Sequence, residues 1–143
     1  MIQRIQSIFL FLASGACFGL FGADAADTAA PVANSELFAD GSFTLLDDPV
    51  LMVLFALAGV VLFAGIFLFR QRPLQMKISL AAAALIVLGA GYGAFLWSSD
   101  SAAASASPDL GIALPVVALI FSLLARNYIR KDEKLVRSAD RLR

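Results

Sequence analysis

The sequence predicts an all-α membrane protein with four transmembrane helices, and three observations support this fold class. Of the 143 residues, 60% are hydrophobic and only 15% are charged, whereas soluble domains carry about 25% charged residues. The mean hydropathy is +0.84. The apolar residues also lie in four runs of roughly 16 to 20 residues, the length that crosses a bilayer core of about 30 Å. We therefore interpret residues 1–143 as a single integral membrane domain.

The first apolar run covers residues 5–22 and follows a single base, Arg4. As a helix it would be roughly 27 Å long, which is enough to cross the membrane with little tilt. The same stretch also fits a cleaved signal peptide, with Arg4 in the charged start and 23–25 as an A-x-A-like cleavage site. Both interpretations leave residue 30 on the same side of the membrane.

The first outer loop, residues 23–48, contains six acids and no base. Short apolar stretches at 37–39 and 43–45 flank the pair Asp40-Gly41, a pattern typical of a β-hairpin. We therefore expect a small hairpin here. For residues 24–34, a disordered Ala-rich connector is an equally good interpretation.

The second span is predicted over residues 49–69, with Asp48 as the helix cap and Pro49 in the first turn. Capping also explains the neighbouring acids Asp47 and Asp48 more simply than a catalytic carboxylate pair does. The charged residues and the proline of segment 70–73 are then expected to end this helix.

The third span is predicted over residues 78–97, opened by Lys77 after a tight turn at 73–76. Trp97 closes it, where an interfacial aromatic residue is expected.

The second outer loop covers residues 98–108, and the fourth span is predicted over 109–125. Here Ser107 is the expected cap, Pro108 the first-turn residue and Pro115 the site of a bend.

The segment 126–143 holds seven of the eleven bases and three acids, a net charge of +4 in a chain whose net charge is zero. No Gly or Pro interrupts it, and it predicts an amphipathic helix that continues the fourth span. Its narrow apolar face recurs at three- to four-residue spacing and comprises Ile129, Leu135 or Val136, Ala139 and Leu142. Glu133 and Arg137 are placed to form an i,i+4 pair.

We expect the bases of this segment to contact lipid or a protein partner. They are Arg126, Arg130, Lys131, Lys134, Arg137, Arg141 and Arg143. Anionic lipid attracts such a segment by about 1 kcal/mol per base. The interspersed acids favour a protein surface, and the lack of aromatic residues beyond Tyr128 disfavours nucleic acid.

The distribution of charge predicts the topology. Every base lies at Arg4, at 70–77 or in 126–143, and both remaining loops have none. Under the positive-inside rule, both termini are then cytoplasmic and loops 23–48 and 98–108 lie outside. This asymmetry is typical of a bacterial inner membrane or a similar energised bilayer.

The spans contain no ionisable residue near their centres, although such residues usually mark proton relays and ion paths. There is no His, and the one cysteine, Cys17, lies in the first span. Zinc sites and activated nucleophiles need such groups in close arrangement. We predict no catalytic, cofactor-binding or metal-binding residue.

Small residues at a spacing of four occur in two spans, at Gly15 and Gly19 and at Gly89 and Gly93. Such positions let helix backbones approach each other closely in lipid. We predict helix packing within the bundle, with a homo-oligomer or the seat of a partner helix as the alternative.

The opening residues MIQRIQSI and the closing residues RNYIRKDEKLVRSADRLR resemble the two ends of a family of small four-span inner-membrane proteins of Bacteroidetes-type bacteria, domain of unknown function 4293. The resemblance implies that the first run is retained as a span and that both ends are cytoplasmic. It implies no catalytic or binding residue.

Together these observations predict a multi-pass inner-membrane protein that acts as a non-enzymatic accessory or scaffold subunit through its basic cytoplasmic tail. A small transporter or channel component is the alternative, and it would need a wet path lined by Ser79, Ser122 or glycines. A membrane enzyme would have only the outer carboxylates available for chemistry.

Overall fold

The computed structural model describes residues 2–140 and contains four long helices. They are α1 (Ile2–Gly19), α2 (Pro49–Phe67), α3 (Arg72–Ser99) and α4 (Leu114–Asp140). Each lies in a segment that is long and apolar enough to cross a membrane. The prediction of four such helices is confirmed.

The four helices form a closed up-and-down bundle. Each packs against its neighbours in sequence, and α1 also packs against α4. Leu10, Leu62 and Ile86 are almost completely buried at its centre. In contrast, large apolar side chains on the outward faces stay exposed, as expected when the surrounding medium is lipid. We call this surface the apolar belt, and it includes Phe11, Val53, Val60, Phe63, Val87, Leu88, Phe95, Val116 and Ile120.

The start of α2 follows the sequence prediction. The Asp48 carboxylate accepts hydrogen bonds from the backbone N–H groups of Val50 and Leu51, at 2.7 and 3.0 Å, and Pro49 occupies the first turn. Thr44 caps the preceding 3₁₀ turn, and Asp47 completes the capping box by accepting from the backbone N–H of Thr44. Both acids therefore accept hydrogen bonds from backbone N–H groups at helix starts.

The connection between α2 and α3 differs from the prediction. α2 ends at Phe67, and α3 begins at Arg72 with Pro73 in its first turn. The predicted turn at 73–76 is thus helical, because proline fits the first turn of a helix as readily as it ends one. Residues 68–71 make the turn instead.

The predicted hairpin around Asp40-Gly41 is not formed. Strand β2 (Ser42–Phe43) pairs antiparallel with β1 (Ala26–Asp27), and β1 also pairs with β3 (Ser107–Pro108) from the second loop. Gly41 does take the positive φ of 96° that a turn requires. Strand β1 lies in the segment 24–34, so its pairing contradicts the disordered-connector interpretation there. The sheet joins the two loops.

The start of the fourth helix also differs. Ser107 and Pro108 form β3, and the Ser107 hydroxyl donates to the Asp27 carbonyl oxygen. A 3₁₀ turn follows, and α4 begins only at Leu114. Pro115 is therefore in the first turn of α4, where a missing N–H is harmless, and it is not the site of a bend in mid-helix.

Candidate functional site

The chain folds with its bases at one end of the bundle and its two longer loops at the other. We call the first the basic end, comprising the turn 68–71, the bases Arg72 and Lys77 and the second half of α4. The loop end comprises residues 20–48 and 100–113. The predicted contact residues within 2–140 lie at the basic end, and the geometry there determines which of them face outward.

The tail helix, residues 126–140 of α4, continues the fourth span without a break. Its first half remains packed on the bundle, since Ile129 is fully buried. Beyond Asp132 the apolar face is no longer covered: Leu135 is 55% and Val136 37% exposed, and Ala139 is exposed as well. Leu142 lies outside the described residues. The predicted apolar face is therefore divided into a packed part and an open part.

Aromatic rings hold the tail helix against α1. The Phe9 ring stacks on those of Phe121 and Tyr128, with centroids 5.8 and 5.3 Å apart. The Lys131 ammonium lies 5.4 Å from the centroid of the Tyr128 ring, within range of a cation–π attraction. This stack is one of the contacts between the tail helix and the rest of the bundle.

One ion pair fastens the tail helix to the start of α3. The Arg72 Nε lies 2.7 Å from Asp132 Oδ2, and both side chains are largely shielded from solvent. The two residues are 60 positions apart. Sequence reasoning did not identify this pair, because nothing local links them.

A second ion pair lies within the tail helix. Arg137 donates to Glu133 at 2.8 Å, as the i,i+4 spacing predicts. Asp132 and Glu133 are thus both held by bases of the same chain. Among residues 2–140, no ion pair engages the exposed bases Arg130, Lys131 and Lys134.

These three bases border a shallow surface groove with Leu124, Asn127 and Tyr128. Arg126 is half-buried and Arg137 is exposed, whereas Arg141 and Arg143 lie outside the described residues. The tail helix therefore presents an almost purely basic face, which is suited to an anionic ligand or an acidic protein surface. Whether it makes such a contact stays a prediction.

Several polar side chains are buried inside the bundle. The Ser79 and Ser122 hydroxyls donate to the carbonyl oxygens of Gln75 and Leu119 in their own helices, both at 2.9 Å. Ser14 donates to the Gly59 carbonyl of the neighbouring helix α2. These serines act as packing and hydrogen-bonding groups, so they give no support to the wet path that a channel would need.

Two buried glutamines lie at the start of α1 and of α3. Gln75 donates to the Gly65 carbonyl oxygen at 2.9 Å and so joins α3 to α2. Its own Oε1 and the Nε2 of Gln6 have no hydrogen-bond partner among the described residues. A free acceptor and a free donor are thus both shielded from solvent near the basic end.

The four glycines predicted to pack helices differ in their surroundings. A Cβ on Gly89 would lie 2.8 Å from the Phe55 ring, and one on Gly93 would lie 3.5 Å from the Leu51 side chain. A Cβ on Gly19 would lie 3.5 Å from the Leu114 side chain, whereas a Cβ on Gly15 would have no neighbour within 4 Å. Close approach is therefore required at Gly89 and not at Gly15.

At the loop end, Asp100 links the two loops. Its carboxylate accepts from the Ser35 hydroxyl at 2.8 Å and from the backbone N–H of Ala102 at 2.8 Å. Desolvation opposes ionisation, but these hydrogen bonds and those from the N–H groups of Leu37 and Glu36 outweigh it, so the pKa of Asp100 lies below its usual value. The ionised carboxylate is therefore part of the link.

Three further acids meet at the sheet. Carboxylate oxygens of Asp24, Asp27 and Asp109 all lie within 4.8 Å of one another. Partial desolvation and the negative charges of Asp109 and Asp24 raise the pKa of Asp27, whose Oδ1 has no hydrogen-bond partner among the described residues. Hard cations prefer carboxylate oxygens. Exposed carboxylates also gather without a metal, so the cluster alone assigns no function.

The chain matches the family described as domain of unknown function (DUF4293) over residues 2–142, nearly its whole length. This confirms the resemblance drawn from the two ends of the sequence. Comparison with curated proteins and with solved structures gave no match.

Proposed function

The chain belongs to the DUF4293 family, and we propose that it is a non-enzymatic accessory subunit of a bacterial inner membrane that recruits an acidic protein partner through its tail helix. The observation that carries the proposal is the pairing of charges at the basic end. Asp132 and Glu133 are paired with bases of the same chain, and Arg130, Lys131 and Lys134 are exposed.

The proposed orientation places both termini in the cytoplasm. It is supported by the charge distribution: the bases of the described helices lie at the basic end, while the loop end carries acids alone. Segments next to a span that are rich in Lys and Arg usually remain on the cytoplasmic side. The loop end then faces the periplasm.

The partner is proposed to be a protein because of how far the tail helix extends. Eight residues of α4 follow Asp132, the last residue tied to the bundle by an ion pair, and they project about 12 Å at the rise of an α-helix. Leu135 and Val136 lie exposed on this projection. An amphipathic helix with an open apolar face typically docks in a groove of another protein.

The acidic character of the partner follows from charge complementarity. Arg130, Lys131 and Lys134 are exposed, and an acidic surface would accelerate and orient association with them. Phospholipid headgroups share this charge, but they would not cover the projecting Leu135 and Val136. A protein surface can satisfy both features at once.

Catalysis is not part of the proposal. The middle of each span lacks an ionisable residue, and the buried serines donate to backbone carbonyl groups. The exposed carboxylates of the loop end lie at the opposite end from the tail helix. A role in positioning other proteins fits these features better than a role in chemistry.

A photo-crosslinking amino acid at Arg137 in native membranes tests the proposal. We expect a protein adduct, identified by mass spectrometry, that is lost when Arg130 and Lys134 are both changed to Glu. The matched control carries the crosslinker at Leu110, which is 82% exposed at the loop end. Capture of lipid alone from Arg137, or an adduct unaffected by the charge reversal, would refute the proposal.

A second measurement tests the orientation. Ser138→Cys and Ser105→Cys place one thiol at each end of the bundle, with Cys17 replaced by Ser as the background. In intact spheroplasts a membrane-impermeant maleimide should label only the Cys at position 105. Labelling at position 138 in sealed cells would reverse the proposed topology.

A further inference from the structure

A cavity of about 270 Å³ lies at the loop end between α3 and α4. Leu51 and Phe55 of α2 and residues 43–45 of the first loop also line it. Small side chains on α3 leave this space open. They are Gly89, Ala90, Gly93 and Ala94. The cavity is therefore part of the fold of the bundle, and we call it the α3–α4 groove.

The α3–α4 groove is almost entirely hydrocarbon. Among the side chains that line it, only Thr44 and Trp97 carry a polar atom. The Thr44 hydroxyl is already bonded to Asp47 and to the Leu46 N–H. Apolar cavities of about 150 Å³ stay free of water and bind benzene, so a larger one can hold a longer hydrocarbon.

The open side of the groove is continuous with the apolar belt. Ala90, Ala94 and Val116 line the groove and are exposed, and Val116 is itself a belt residue. The belt residue Phe95 directly follows Ala94, and Ile120 lies one turn after Val116. Both helices lie in segments long and apolar enough to cross a membrane. The groove therefore opens sideways into the lipid phase that covers the belt.

We propose that the α3–α4 groove binds one acyl chain of a bilayer phospholipid. From Gly89 to Trp97 it follows α3 for about 12 Å, parallel to the chains of the adjacent leaflet. Trp97 lines it two residues before the end of α3, at the depth where indoles meet lipid carbonyl groups. This site is independent of the tail helix and of its proposed partner.

Photo-labelling in vesicles tests the site. The probe is a phosphatidylcholine with a diazirine near the end of one acyl chain, incorporated with the full-length protein and mapped by mass spectrometry after digestion. We expect labelling of Gly89, Ala90, Gly93 or Ala94 to exceed that of exposed α2 residues such as Val53 and Val60. Equal labelling of the groove and of α2 would overturn the proposal.

A filled groove provides the matched variant. Ala90→Trp places an indole in the groove, and Ala84→Trp places one at an exposed alanine of the same helix that does not line it. Groove labelling should fall about tenfold in the first variant, the factor that corresponds to about 1.4 kcal/mol, and not in the second. Unchanged labelling in Ala90→Trp, with helicity retained by circular dichroism, would also overturn the proposal.

A second copy of the chain is the competing occupant. Ala94→Cys on the Cys17→Ser background places a thiol on the rim of the groove. We expect no disulfide-linked dimer in membranes treated with oxidant. An efficient dimer would show that another copy covers the groove and that the acyl chain does not.

Discussion

The two ends of the bundle are held together by different forces. At the loop end, backbone groups make the sheet that joins the two loops: β1 pairs with β2 and β3, and the N–H of Gly111 donates to the Asp24 carbonyl oxygen. The Asp100–Ser35 hydrogen bond adds a side-chain link there. At the basic end, the long-range contacts described above are made by side chains, through the Arg72–Asp132 pair and the Phe9–Tyr128 stack.

The two ends should therefore differ in how their stability responds to substitutions and to salt. The close backbone contact at Gly111 leaves no room for a new Cβ, and backbone hydrogen bonds depend little on salt. An ion pair tolerates changes of shape, but it weakens as ionic strength increases. The sheet contacts of the loop end should therefore respond to sterics, its partly buried carboxylates to pH, and the basic end to salt.

The largest effect is expected for Gly111→Ala. A Cβ at this position would clash with the Asp24 carbonyl group and lie 3.1 Å from the Ala25 nitrogen, and backbone cannot give way as a side chain can. We expect a loss of about 2 to 3 kcal/mol in the free energy of unfolding, measured by SDS titration in mixed micelles.

Gly91→Ala is the matched control, because nothing lies within 4 Å of the new Cβ. Alanine is the better helix former, so this variant should gain up to about 1 kcal/mol. Similar effects at both glycines would show that the loop end is not tightly packed.

Asp100→Asn should have the next largest effect. It weakens the hydrogen bonds that join Ser35 and Leu37 to the second loop, at a cost of about 1 to 2 kcal/mol at pH 7. Because the folded pKa is lowered, the carboxylate stabilises the fold above its unfolded pKa of about 3.9, and this contribution disappears as the pH falls through the folded value.

Asp40→Asn is the control, since Asp40 is exposed and accepts one bond from the Ser42 N–H. Its cost should stay below about 0.5 kcal/mol. An equal loss in both variants, or an Asp100 effect that does not diminish as the pH falls below about 3.9, would contradict a special role for the Asp100–Ser35 link.

The loop end could be predicted only in part from the sequence. The Asp48 cap and the turn at Gly41 are local, and they are signalled by residue type. The pairing of β1 with β3 joins residues about 80 positions apart through strands of two residues, which are too short to produce an alternating pattern. Ser107 and Pro108 have the local features of a helix start, and tertiary pairing overrides them.

At the basic end, Asp132→Asn tests the ion pair with Arg72. We expect a loss of about 1 kcal/mol, because the pair is more shielded than a surface pair and less so than a fully buried one. The loss should shrink at high salt, as measured by unfolding at 0.05 and 0.5 M NaCl, roughly 14 and 4 Å in Debye length.

Glu133→Gln provides the comparison, since its pair with Arg137 lies within one helix and is worth about 0.3 to 0.5 kcal/mol. If Asp132→Asn costs no more than this, the tail helix is not fixed to α3 by charge. The orientation of the projecting residues would then depend on the aromatic stack.

At the basic end, too, the sequence predicts the local features but not the long-range contacts. The continuity of the tail helix and the Glu133–Arg137 pair follow from spacing along one helix. The Arg72–Asp132 pair does not, because it depends on how α3 and α4 pack. The α3–α4 groove could not be predicted from the sequence either, because small residues on one helix face also fit a tight contact between two helices.

The smallest effect is expected for Asp27→Asn, and its sign distinguishes it from Asp100. The pKa of Asp27 is raised by partial desolvation and by Asp109 and Asp24, so the folded protein binds this proton more tightly than the unfolded chain. The resulting destabilisation is absent below the unfolded pKa and fully present above the folded one. Asp27→Asn should therefore raise the melting temperature at pH 7, and the difference should vanish near pH 3.

Glu36→Gln is the control, because Glu36 is an exposed acid of the same loop outside the cluster. It should leave the melting temperature unchanged both at pH 7 and near pH 3. A lower melting temperature for Asp27→Asn at pH 7 would show that the carboxylate is stabilising. Hydrogen bonding to the ionised carboxylate would then outweigh its repulsion by Asp24 and Asp109.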